Sequence, residues 1–64
     1  MRVTLSVAGD DEHTFEVGGE TYADLLGDLG VNRHEVAVLV DGRPVPEDRP
    51  ADADATVVRL VSGG

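Results

Sequence analysis

The sequence predicts an α+β domain in which a mixed sheet of four to five strands carries one helix packed on one face. Three observations predict it. Residues 3–7 and 14–17 alternate apolar and polar side chains, the period of half-buried strands. Tyr22, Leu25, Leu26 and Leu29 recur at spacings of three and four, which marks one face of a helix. Residues 36–40 are a continuous apolar run whose β-branched side chains favour a strand, and residues 56–61 read as the last strand.

Taken in order, Val3-Thr4-Leu5-Ser6-Val7 is the first strand, and the Gly9-Asp10-Asp11-Glu12 cluster turns the chain. Thr14 to Val17 returns as the second strand of a hairpin, with Phe15 and Val17 on its core face. Gly18-Gly19 breaks the pattern. Thr21 is suited to cap a helix, and Asp24 stands three residues later, as in a capping box. The helix covers residues 22–29 and stops at Gly30. At about two turns, and weakened by Gly27, it is too short to stand alone and must dock on a sheet. Asp41-Gly42 is the strongest turn signal in the chain. Pro44 and Pro46 flank Val45 and leave room only for a brief edge strand. Residues 47–55 read as an irregular acidic loop, and residues 56–61 as the last strand, parallel to the first through a right-handed crossover.

These patterns also assign faces. Arg59 marks its side of the last strand as wet, so Val57 and Val61 are expected on that outer face, with Val58 and Leu60 toward the helix. In the middle strand Val36, Val38 and Val40 are expected inward, and Ala37 and Leu39 outward. The outer face then presents Leu39, Val57 and Val61 beside Arg59, a candidate partner-docking surface. Isolated exposed aliphatic residues are the alternative reading.

Composition excludes much. The 64 residues make one domain with a small core, and without cysteine there are no disulfides, thiolate metal sites or cysteine nucleophile. Thirteen acids against five bases leave a net charge of −8, which argues against direct binding to nucleic acid or anionic membranes. No apolar run reaches the roughly 20 residues of a membrane span and no signal peptide follows Met1, so a soluble, cytoplasmic monomer is expected. All five bases are arginine. A lysine-free, aspartate-rich surface suits concentrated salt, where screening relieves self-repulsion; an ordinary acidic protein is the alternative.

Catalytic patterns are weak. Neither Ser6 nor Ser62 sits in a nucleophile elbow, and His34-Glu35 reads as a polar loop rather than an acid–base pair. Asp10-Asp11-Glu12 lacks calcium-loop spacing, and Gly18-Gly19 lacks the lysine of a phosphate loop. The closing Gly63-Gly64 is more telling. Two residues without side chains are thin enough to enter another protein's active site and present an α-carboxylate there. Such a carboxylate becomes an acyl donor once a partner activates it with ATP. A frayed tail is the alternative.

The chain resembles the β-grasp, ubiquitin-like family, and within it the small archaeal modifier proteins of halophilic archaea. The resemblance covers essentially all 64 residues. It rests on Thr21-Tyr22-Ala23-Asp24-Leu25, on His34-Glu35-Val36 and Val38 through Asp48, and on Arg59-Leu60 with Gly63-Gly64. It implies a β-grasp domain over residues 1–61 and a flexible tail over 62–64. It implies activation of the Gly64 carboxylate by an E1-like enzyme that uses ATP and magnesium, this chain binding no cofactor or metal itself. Gly63 carries over as the slender approach. Two fates follow from the resemblance: an isopeptide bond to lysines of target proteins, or a thiocarboxylate for transfer RNA thiolation. A dedicated sulfur carrier for molybdopterin or thiamine synthesis is the alternative on the same fold, and a non-catalytic interaction domain with an inert tail is a third reading. Leu39 and Val61 correspond in position to the ubiquitin recognition patch. Relatives usually carry some lysine and this chain has none, which argues against self-linked chains.

Overall fold

The computed structural model describes residues 1–8 and 11–60. Five strands form one mixed sheet: β1 (Arg2–Val7), β2 (Glu12–Glu16), β3 (Val36–Val40), β4 (Arg43–Val45) and β5 (Ala55–Arg59). The spatial order is β2-β1-β5-β3-β4, and α1 (Tyr22–Asp28) lies on one face. β1 and β5 are parallel neighbours at the centre, as the sequence predicts; the other pairs are antiparallel. A short 3₁₀ turn, Arg33–Glu35, replaces the loop expected before β3, capped by the Asn32 side chain, which accepts from the His34 N–H.

The helix begins where its cap dictates. Thr21 Oγ1 accepts from the Asp24 N–H at 3.2 Å, and the Asp24 carboxylate accepts from the Thr21 N–H at 3.0 Å. Tyr22, Leu25 and Leu26 turn inward against Val3, Leu5, Val17, Val36, Val38, Ala55 and Val57, with Phe15 and Leu29 packed around them. Gly30 ends the helix with a φ of +71°, in the left-handed region that glycine enters without strain.

The acidic loop is less irregular than its composition suggests. The Tyr22 and Ala23 N–H groups, unpaired within a helix's first turn, donate to the carbonyls of Arg49 (3.2 Å) and Glu47 (2.7 Å). Ala51 N–H donates to Glu20 at 2.8 Å, and the Thr4 N–H donates to the Asp54 side chain at 2.9 Å. The Tyr22 ring is fully buried and its hydroxyl donates to the Ala53 carbonyl at 2.6 Å. Burial pushes the Tyr22 phenol above its ordinary 10.0. The neutral phenol is therefore the stabilising form. Its contribution is complete below pH 10 and is lost as pH rises through the higher native-state value. Tyr22→Phe, which removes the hydrogen bond, is expected to cost about 1 kcal/mol, or ~4–8 °C in melting temperature at neutral pH. The variant should also lack the part of the alkaline destabilisation due to this phenol, which melts between pH 9 and 12 measure.

Arg2 reaches Glu16 at 3.3 Å and the Met1 amine lies 3.7 Å from the same side chain, but acids remain in large excess on a body of 10.9 Å radius of gyration. Self-repulsion at that density is expected to raise the melting temperature between low and molar potassium chloride, as the Debye length falls to about 3 Å. Equal melting temperatures would remove the case for adaptation to salt.

The face assignments of the last strand are corrected by the register. Val57, expected outward, is 1 % exposed and lies in the core. It stands beside Val7 in the parallel pair and opposite Val38, both helix-side residues. Val58 and Leu60 consequently take the outer side rather than the inner one. Arg59 shares Val57's side, not the outer face, but it ends the strand opposite Val36, and there it is exposed despite its side. The middle-strand assignments hold: Val36 and Val38 are buried, and Ala37 and Leu39 face outward.

Candidate functional site

The outer face of the sheet divides in two. On β1 and β2 it is polar and satisfies itself across the strands: Arg2 with Glu16, Thr4 Oγ1 with Thr14 Oγ1 at 3.2 Å, and Ser6 Oγ donating to Glu12 at 3.0 Å. On β5, β3 and β4 it is largely apolar. Ala37 pairs with Val58, and Leu39 lies between Thr56 and Pro44. Leu60 follows at 57 % exposure, one of the two large exposed hydrophobic residues among those described. Alternating side chains thus gather Leu39, Ala37, Val58 and Leu60 into one strip.

The strip runs to the end of the described chain. Leu60 N–H donates to the Glu35 carbonyl at 2.7 Å, so the point where residues 61–64 begin is tied to the 3₁₀ turn. Val61, Gly63 and Gly64 lie outside the described residues. Of the candidate docking residues, Leu39 keeps its place on this face, Val57 leaves it, and Arg59 belongs to the other side. Val58 and Leu60 are the members that sequence reasoning missed. Their signal was Thr56, a polar residue within the strand that marks the wet side; an arginine at a strand end carries no such information, because its long side chain reaches water from either face.

Nothing else among the described residues assembles into a reactive centre. His13 lies on edge strand β2 and His34 in the 3₁₀ turn, and no three His, Asp or Glu side chains converge to hold a metal. No helix among the described residues is long and apolar enough to cross a membrane.

Residues 1–61 match the family model described as Small archaeal modifier protein 2. The chain is 47 % identical over 66 residues to Small archaeal modifier protein 2 of Haloferax volcanii, with both chains covered completely. It is 39 % identical over 67 residues to an uncharacterized protein of Archaeoglobus fulgidus, again over the whole of both. Among solved structures it superposes on Caldiarchaeum subterraneum ubiquitin with a TM-score of 0.72, covering 100 % of this chain and 98 % of the other. At 14 % identity that likeness speaks for the fold alone, which is the ubiquitin-like β-grasp.

Proposed function

The chain belongs to the small archaeal modifier protein 2 family, and from that premise we propose that it is a ubiquitin-like modifier and sulfur carrier that works through the carboxylate of Gly64. The observation that carries the reading is the apolar strip of Leu39, Ala37, Val58 and Leu60, which leads into the segment ending in Gly63-Gly64. An E1-like enzyme docks on that strip and receives the tail. The enzyme supplies ATP and magnesium; this chain supplies the acyl group. A Gly64 carboxylate oxygen attacks the α-phosphorus of ATP and pyrophosphate leaves. The acyl-adenylate is then attacked at the Gly64 carbonyl. A lysine amine of a target protein gives an isopeptide bond and releases AMP. A sulfide equivalent gives a thiocarboxylate, again releasing AMP, and this serves transfer RNA thiolation. The chemistry belongs to the partner's active site, and this chain is a substrate rather than an enzyme.

Trypsin and mass spectrometry of cell extract test the two fates. The last cleavage falls after Arg59, so a modified lysine is expected to carry Leu60-Val61-Ser62-Gly63-Gly64. These remnants should come from other proteins and never from residues 2–64, since an isopeptide bond needs an amine and the chain has no lysine. A gain of about 16 mass units at the intact terminus marks sulfur in place of oxygen. Thiocarboxylate with no remnant on any lysine would favour a dedicated sulfur carrier. Absence of both would leave an interaction domain with an inert tail.

A further inference from the structure

Arginine is scarce in this chain, five residues against thirteen acids. Among the described residues Arg2 is the only arginine that makes an ion pair, with Glu16. Of the arginines without an ion pair or side-chain hydrogen bond among the described residues, Arg43 and Arg49 open together into one groove at the β4 edge. Val40 and Val45 line the same groove, and Asp41 completes it. Its volume of about 460 Å³ is an order of magnitude above the ~30 Å³ of a single water.

Both arginines stand on fixed backbone. Arg43 follows the two-residue turn Asp41-Gly42, whose φ values of +53° and +77° fit a tight hairpin, and it pairs with Val40. Arg49 N–H donates to the Pro46 carbonyl at 3.2 Å, and its own carbonyl accepts from Tyr22 at the helix start. Each of the two is followed directly by proline, Pro44 and Pro50, which holds the preceding residue extended; none of the other three arginines is. Little backbone entropy is left to lose on binding.

We propose that this groove is a docking site for an acidic segment of a partner protein. Two carboxylates of an extended peptide engage Arg43 and Arg49, and an apolar side chain between them rests on Val40 and Val45. A guanidinium offers a carboxylate two parallel donors, and the apolar lining suits a peptide rather than a bare anion. A dense polyanion such as RNA is disfavoured by the net charge of −8 and by Asp41 in the groove. The groove lies on the helix side of the register, Val40 with Arg43, whereas Leu39 with Pro44 faces the opposite side. A segment bound here therefore leaves the outer strip free, and the site is independent of the chemistry at Gly64.

The full chain, labelled with ¹⁵N, is titrated with the pentapeptide acetyl-Glu-Ser-Leu-Ser-Glu-amide, whose Glu, Leu and Glu share one face when extended. Saturable shifts are expected at Val40, Arg43, Val45 and Arg49. Arg43→Gln and Arg49→Gln, both at exposed positions, should each weaken binding about tenfold while the spectrum stays dispersed. Arg43→Lys and Arg49→Lys should lose part of it, keeping charge without the fork. Deleting Gly63-Gly64, or Leu39→Asp, should leave the affinity unchanged, which separates failure here from failure of the modifier reading. Shifts centred elsewhere, no saturable shift, equal binding by the Gln-Ser-Leu-Ser-Gln analogue, or equal binding by inorganic phosphate would each overturn the proposal.

Discussion

Removing Gly63 and Gly64 is expected to abolish adenylate formation by the E1-like partner while the melting temperature stays within a degree or two. On the proposed mechanism loss should be complete, because the carboxylate must reach phosphorus inside another protein's channel. A chain two residues shorter presents Ser62, whose side chain must enter where glycine has none. Stability should be indifferent because the core closes on residues from Val3 to Val57, and the last backbone bond of the described chain is made at Leu60. Pyrophosphate exchange with purified partner and ATP measures the first quantity and a thermal melt the second. Exchange undiminished in the truncated chain would end the carrier reading. Lost exchange with a collapsed melting temperature would mean that the tail holds the domain together.

Val57→Asp is expected to unfold the domain, whereas Leu39→Asp and Val58→Asp are expected to leave it folded. At about 0.05–0.15 kcal/mol per residue, a chain of 64 residues has ~3–10 kcal/mol of stability. Val57 is enclosed, so the substitution forfeits about 1.5–3 kcal/mol of apolar burial. It also places a carboxylate without a cationic partner among Val38, Leu25 and their neighbours, at a further several kcal/mol. The sum equals or exceeds the whole stability. Leu39 and Val58 point the other way and are only half-buried, so aspartate there costs about 1 kcal/mol of strand preference and keeps its water. These two should instead weaken binding of the E1-like partner, by about tenfold or more, because they put charge in the middle of the apolar strip. Circular dichroism separates the classes. A folded Val57→Asp beside an unfolded Val58→Asp would restore the opposite register of β5.

The Val57 and Val58 pair shows where a sequence stops being readable. In β1, strict alternation of Val3, Leu5 and Val7 with Thr4 and Ser6 admits one orientation, and the structure has it. In β5 two adjacent valines fit either face, and Arg59 tipped the reading the wrong way because a strand end imposes no side on a long cationic chain. The partner residues Val7 and Val38 decide it, and those contacts lie far off in sequence. The same holds for the loop of residues 47–55. Its composition is that of a solvated segment, yet helix-start N–H groups that need acceptors hold it in place.

By itself, then, the sequence determined the features set by neighbours along the chain: the Thr21 and Asp24 cap, the helix face of Leu25 and Leu26, and the Asp41-Gly42 turn. Only the tertiary structure decided which valine of β5 is buried, that Val58 and Leu60 join Leu39 on the outer strip, and that Arg43 and Arg49, six positions apart, share one groove. The physical reason is the range of the interactions. Caps, turns and periodicity are settled within about four residues, whereas strand register and the meeting of two loops are settled by packing across the sheet and against the helix.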